Sequence, residues 1–207
     1  MMETATRATG SSHRILDLAE RLIQVRGYNG FSYADIAEAM QVTKASLHYH
    51  FPSKAELGRS LMARYSAGFQ SALADIDGRS EGAARKLTAY VGLYTAVLVD
   101  GRMCLCGMLA AEFATLPVAM QAEVIHFFDV NEAWLTAVLD RGRRVGAVAF
   151  EGSAIEAARL LLASLEGAMM LARSYHDVAR FEQVGRRLIA GFVPDRRPRT
   201  ARVTKAR

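Results

Sequence analysis

The chain has 207 residues, 51% of them hydrophobic, which is enough for one small head and one larger body, each with its own core. No run of about eighteen apolar residues occurs and the N-terminus lacks a signal peptide's apolar core, so a spanning helix is excluded and the expected location is the cytoplasm. The formal charge of +5 is not a nucleic-acid footprint, because residues 194–207 hold Arg196, Arg197, Arg199, Arg202, Lys205 and Arg207 against Asp195 and account for the whole excess.

In chain order, residues 1–11 are small and polar with one arginine, Arg7, and read as a mobile arm. Ser12 then caps a first helix whose Ile15, Leu18, Ala19, Leu22 and Ile23 form an apolar stripe and which Gly27 ends. Ser32 with Asp35 at the third helical position predicts a second helix from about Tyr33, with Ile36, Ala37 and Met40 inward. Val42 plugs the following turn. Thr43 caps a third helix from Lys44 to about Phe51, in which Leu47 and Phe51 are core and Lys44, Ala45, Ser46, His48, Tyr49 and His50 remain available to a partner. Pro52 ends it. Two short helices joined by a tight turn, the second with a polar and basic outer face, form a helix-turn-helix, the shape that enters a DNA major groove. Between Glu38 and Glu56 there is no acidic side chain, while Lys44, Lys54, His48 and His50 lie there.

Ser53 and Glu56 form a second capping box, opening a long fourth helix with Leu57, Leu61, Tyr65, Phe69 and Leu73 at every fourth position. Leu87, Tyr90, Val91, Tyr94 and Leu98 mark a fifth, broken by Gly101. A sixth runs over 103–115, ended before Pro117, and a seventh over about 120–141. A glycine-bearing connection, 142–152, leads to the Ser153–Glu156 capping box and an eighth helix to about Tyr175; a ninth covers 178–192. The expected fold is therefore all-α with about nine helices: an arm and helix-turn-helix head over 1–52, a larger helical body over 53–193, and a basic disordered tail over 194–207. Leu160, Leu161, Ser164, Gly167, Ala168 and Leu171 in the eighth helix, and Phe181, Val184, Gly185, Leu188, Ile189 and Phe192 in the ninth, combine bulk with small residues. They are too apolar for the surface of a monomer and predict a four-helix bundle between two copies, although part of the set must serve the internal core.

The ordered run Phe31-Ser32-Tyr33-Ala-Asp-Ile-Ala, Val42-Thr43-Lys44-Ala45-Ser46-Leu47-His48-Tyr49-His50-Phe51 and Ser53-Lys54-Ala-Glu-Leu57, within residues 14–65, resembles the N-terminal domain of the TetR (tetracycline-repressor) family. Gln41 departs from the glycine many relatives place in the turn, which requires a non-glycine residue in a left-handed conformation. The resemblance implies a ligand-responsive transcription regulator, a repressor that binds a palindromic operator as a homodimer and is released by a small-molecule effector. Thr43, Lys44, Ala45 and Ser46 would face the groove. Tyr33, His48, Tyr49 and Lys54 would grip phosphates, and His50 either joins them or packs against the first helix. Dimerisation through the final two helices would set two heads about one DNA turn, or a small multiple, apart.

The same resemblance places an effector in the body among the fourth to eighth helices. Tyr90, Tyr94, Met108, Glu112, Phe113, Phe127, Trp134, Met169, Met170 and Arg173 could line it, although aromatic and methionine residues at helical spacing equally describe plain core. The run Gly101-Arg-Met-Cys104-Leu-Cys106-Gly-Met-Leu-Ala-Ala-Glu112 is similar to a stretch in a TetR subgroup, some of whose members sense electrophiles or oxidants through a cysteine at the position of Cys104. A helix N-terminus beside Arg102 would lower that thiol's pKa; the alternative is a small buried hydrophobe. Cys104 and Cys106 are too close in sequence for an ordinary structural disulfide, and two cysteines with His126 or His176 make no recognisable metal spacing, so neither metal nor cofactor is expected. No nucleophile and base arrangement points to an enzyme. A helical interaction module without DNA binding would leave the clustering of Lys44, Ser46, His48, Tyr49 and Lys54 without a reason.

Overall fold

Side-chain caps at Ser32, Thr43, Cys104 and Ser153 start four of the helices. The computed structural model describes residues 2–79 and 82–194, and within these every regular element is helical. The order is α1 (Met2–Arg26), α2 (Tyr33–Met40), α3 (Lys44–His50), α4 (Lys54–Arg79), α5 (Ala83–Val99), α6 (Leu105–Ala111), a 3₁₀ turn (Phe113–Thr115), α7 (Val118–Arg144), α8 (Ala154–Ser174) and α9 (Val178–Phe192). No helix among the described residues is long and apolar enough to cross a membrane.

Helix α1 differs from its sequence expectation. It starts at Met2, so Ser12 lies inside it and the supposed arm is helical. Residues 2–9 contain neither proline nor glycine, and Gly10 alone costs too little to stop propagation from the well-packed turns that follow. Gly27 does end the helix, at φ +83°. The side chain of Arg7 and the basic stretch 195–207 lie outside the described residues.

The head consists of α1 to α3 closed by the first turns of α4. Ile15, Ala19, Ile23, Ile36, Leu47, Leu57, Leu61 and Met62 are buried together. The half-exposed Val42 does not plug the turn after α2. The backbone closes that turn instead: Gln41 is left-handed at φ 55°, its N–H donates to Glu38 O (3.1 Å), and the Val42 N–H donates to Ala37 O (3.0 Å). The Ser53 box is half made. Glu56 N donates to Ser53 Oγ (3.1 Å), but the Glu56 carboxylate turns to Arg59 (2.8 Å) rather than back to the cap.

In the body, α7 packs on α8 and α4, α8 on α9, and α5 on α9. Gly185 sets the last approach, since a Cβ there would lie 2.6 Å from Val91 Cγ1. Ser153 and Glu156 complete both halves of their capping box. The buried core is largely apolar; Gln24, Ser66 and Asn131 are the buried polar residues among those described.

Candidate nucleic-acid interface and its control

The outer face of α3 is laid out by α2 and the turn before it. At the start of α2, Ser32 Oγ accepts from Ala34 N (3.2 Å), while the Asp35 carboxylate accepts from Ser32 N and Oγ (both 2.7 Å). The Ser32 hydrogen bonds hold the Asp35 pKa below the usual carboxylate value. Thr43 Oγ1 then accepts from Ser46 N (3.2 Å) and caps α3. Leu47 is the residue of α3 that anchors it from below, at 1% exposure. Thr43, Lys44, Ala45, Ser46, His48 and Tyr49 are exposed, His50 is half-buried with its ring edge-on to Tyr49, and Tyr49 is 81% exposed. An aromatic side chain so free of intramolecular contact stands where a partner surface would come.

Two residues expected to grip phosphate are placed otherwise. Tyr33 is buried, its hydroxyl donates to Phe51 O (2.8 Å), its ring lies 4.8 Å from that of His48, and burial pushes its pKa up to about 12. It ties α2 to the end of α3 and supports the face from within. Lys54 donates its ammonium to Phe31 O and sits over the rings of Phe31 (4.3 Å) and Tyr28 (4.5 Å). Burial in that aromatic cage lowers its pKa. His48 has Nδ1 3.0 Å from Pro52 O. If Nδ1 donates there, Nε2 of the neutral ring is an acceptor, and only the imidazolium can donate to a phosphate.

A second set of contacts holds this head to the body, and it claims two residues expected in the effector pocket. The Glu112 carboxylate, just past α6, accepts from the backbone N–H of Tyr28 and of Asn29 (3.2 Å). It fills the space a side chain on Gly27 would need, a Cβ there being 2.8 Å from Glu112 Oε2. Arg173 of α8 donates to the carbonyls of Gln24 (3.1 Å) and Val25, the last turn of α1. Arg102 donates to Gln24 Oε1 (2.8 Å), and Met103 N to Gln24 O (3.3 Å). Glu112 and Arg173 thus face the helix-turn-helix head rather than an internal cavity, with Met108 Sδ touching Arg173 (3.3 Å).

The remaining pocket candidates divide. Tyr65, Phe69, Tyr90, Tyr94, Phe127 and Trp134 form one aromatic cluster, with Tyr90 stacked on Trp134 (5.5 Å) and Phe69 edge-on to Phe127 (5.0 Å). Tyr90 donates to Asn131 Oδ1 (2.8 Å) and meets the Tyr94 hydroxyl at 3.0 Å. Met169 is buried and Phe113 half-buried against the same core. Met170 is 53% exposed on the outside of α8 and cannot line an internal pocket. Cys104 is buried and caps α6, its Sγ accepting from Gly107 N (3.5 Å). The hydrogen bond from Cys106 and those from the α6 backbone outweigh burial and bring the Cys104 thiol down to about 7, whereas burial pushes Cys106 up. Facing them is Glu166, which the sequence reading missed; its signal was a carboxylate one residue past Leu165 on the otherwise apolar inner face of α8.

The dimer candidates also separate into two faces. Leu161, Ala168, Phe181, Gly185 and Phe192 are buried inside the protomer and belong to its own core. Leu160, Gly167, Leu171 and Val184 are exposed, and Ser164, Leu188 and Ile189 half-buried. With Met170, they make an unpartnered apolar strip along α8 and α9.

Comparison with known proteins places this arrangement. The family model for bacterial regulatory proteins of the tetR family matches residues 15–61, the head and the start of α4. The crystal structure of a TetR-family transcriptional regulator from Agrobacterium tumefaciens is 33% identical, covering 90% of this chain and 100% of that one, with a TM-score of 0.88. A TetR transcriptional regulator from Legionella pneumophila is 35% identical over 86% of this chain and 95% of its own, with a TM-score of 0.79. The HTH-type transcriptional repressor DhaR of Mycobacterium sp. (strain GP1) is 27% identical over 74% of this chain and 79% of its own. Regulators of this family act by binding DNA and not by catalysis, and on the helix-turn-helix, the all-helical body and this likeness along the whole fold, the chain belongs to the TetR family of transcription regulators.

Proposed function

We propose that the protein is a repressor that binds a palindromic operator as a homodimer and lets go when a small molecule occupies its body. The observation that carries the DNA reading is the exposed face Thr43–Tyr49, free of acidic side chains and propped from below by Leu47, Tyr33 and Phe51. Ser46 and Lys44 offer hydrogen-bond donors to base edges, Ala45 a methyl contact to thymine, and Tyr49 and His50, with His48 when protonated, reach for the phosphates. The exposed strip Leu160, Gly167, Met170, Leu171 and Val184 supports a twofold partner, and the named repressor among the relatives supports repression as the outcome.

Effector control would pass through the clasp on α1. An effector seated among Tyr65, Phe69, Tyr94 and Phe127 would press on α4, α5 and α7, and any shift of α6 or α8 moves Glu112 and Arg173, which hold the end of α1. About 2 to 3 kcal/mol of such coupling weakens operator binding roughly thirty- to hundredfold. Gel-shift competition between specific and random duplexes tests the central reading. Ser46→Ala is expected to change the preference among operator variants; equal loss on every duplex would contradict a base-reading role for it.

A second reading is favoured by the Cys104 site: the same repressor responding to thiol-reactive compounds. The low-lying Cys104 thiol at the start of α6 lies on the helix whose other end carries Glu112, so a covalent adduct there would act directly on the clasp.

A further inference from the structure

The exposed ring of His48 is fixed from two sides. Its Nδ1 lies 3.0 Å from Pro52 O, and the ring rests 4.8 Å from that of Tyr33, which is itself tied to Phe51 O. A carbonyl oxygen has no proton to give, so the first contact is a hydrogen bond only with the proton on Nδ1. Nε2 is then the ring nitrogen left for a partner. In the neutral ring it holds a lone pair, which repels a phosphate oxygen; in the imidazolium it holds an N–H, which donates to one. Exchanging tautomers offers no way out, since a proton moved to Nε2 leaves the Nδ1 lone pair facing Pro52 O.

The free chain supplies little counter-charge for a second proton. Asp35 of α2 is held by Ser32 and Arg26 and Glu56 of α4 by Arg59, and no carboxylate pairs with His48 among the described residues. Lys54 of α4 turns its ammonium to Phe31 O, while Lys44 stands one turn earlier on α3, at the spacing where two cations repel. Tyr33 of α2 is buried and neutral, and Tyr49 and His50 follow on α3 with their rings against each other. Only the closing turn of α3 favours the imidazolium, through its carbonyl ends. A DNA phosphate brings the missing negative charge.

We infer that His48 is a phosphate ligand that works only as the imidazolium, so that each protomer takes up a proton as it seats on DNA and operator affinity falls as the pH rises. This deepens the DNA-binding reading above and rests on it. The sign follows from linkage: the complex holds more protons than the free chain, so affinity is lost with rising pH, at most about tenfold per pH unit for each protomer. Phosphate contacts carry no sequence information, so the loss is the same on every duplex and the preference among duplexes stays fixed.

The test uses the full chain and the tightest duplex selected from a random library. Isothermal titration calorimetry near pH 7.5, in buffers of different ionisation enthalpy, reads the uptake, expected at about half to one proton per protomer. Gel shifts at about pH 6 and about pH 8 should show affinity falling roughly tenfold or more, by a common factor on variant duplexes. His48→Gln offers an N–H that needs no added proton, and His48→Arg a permanent cation. Both should remove most of the uptake and flatten the profile, with His48→Arg keeping at the higher pH the affinity wild type has at the lower. His50 meets Tyr49 and no carbonyl among the described contacts, so it can offer an N–H while neutral, and His50→Gln should retain the wild-type profile. No uptake by wild type, or wild-type uptake in both His48 variants, overturns the role of His48 and leaves the operator reading standing. A selection that yields no preferred duplex overturns the operator reading instead, and a random duplex then still reads the uptake.

Discussion

The apolar strip along α8 and α9 makes a quantitative demand on the assembly. Leu160 and Leu171 are 63% and 61% exposed in the protomer, so more than half of each side chain is open for the proposed twofold partner to cover. Full burial of a leucine contributes about 2 kcal/mol, and the uncovered fraction here is therefore about 1 kcal/mol per residue. A twofold interface repeats each contact, so Leu160→Ala with Leu171→Ala removes four such terms, about 4 kcal/mol, or roughly three powers of ten in the dimer dissociation constant. Because neither side chain supports the protomer core, thermal unfolding of the separated protomer should barely change. Analytical ultracentrifugation over a dilution series reads the dissociation constant, and gel shifts at matched concentrations read its effect on operator binding, which should become steeply concentration-dependent. A double variant that remains as tightly dimeric as the wild type would show that the strip is not the contact between copies.

Other outcomes follow from the head and its caps. Lys54→Met removes the cation from the Tyr28 and Phe31 cage and its bond to Phe31 O; the expected result is a loss of about 1 kcal/mol in head stability with an unchanged salt slope of DNA binding, and a lowered slope would restore Lys54 to the phosphate contacts. Gln41→Gly should stabilise by up to about 1 kcal/mol in thermal denaturation, since the left-handed backbone at φ 55° penalises a side chain, whereas Gln41→Val should destabilise. The carboxylates of Asp35 and Glu156 have lowered pKa values because they accept cap hydrogen bonds in the folded chain, so their stabilisation is present above the unfolded carboxylate range and is lost as the pH falls below about 4. Circular dichroism across pH 5 to 2 should show that loss, and Asp35→Asn should flatten part of it.

Local chemistry made the elements legible. Ser32, Thr43, Ser153, Gly27 and Gly101 mark helix ends within a few residues of themselves, and Thr43–Tyr49 could be assigned to a face because Leu47 is the one strong apolar residue between them. Side-chain direction was not legible. Tyr33 and Lys54 combine polar tips with apolar stems, and only the positions of Phe51 and Phe31 decide that the tips turn inward. Glu112 and Arg173 find their partners 84 and 149 residues away on the α1–α2 region, a separation no periodicity reports. In α8 and α9 both the inner and the outer faces are apolar. Leu160 and Leu161, adjacent in sequence, therefore looked equivalent until the fold placed one outside and one inside.

The body's hold on the end of α1 bears on how such regulators can be recombined. Carbonyls of Gln24 and Val25 and amides of Tyr28 and Asn29 find their hydrogen-bonding complements on α8 and just beyond α6, outside the first fifty residues. Grafting a foreign operator reader onto this scaffold would therefore succeed when the incoming loop offers those same main-chain groups to Glu112 and Arg173. A graft chosen only for its recognition helix would lose these four main-chain contacts to the body, and with them the route by which the proposed effector control would reach it.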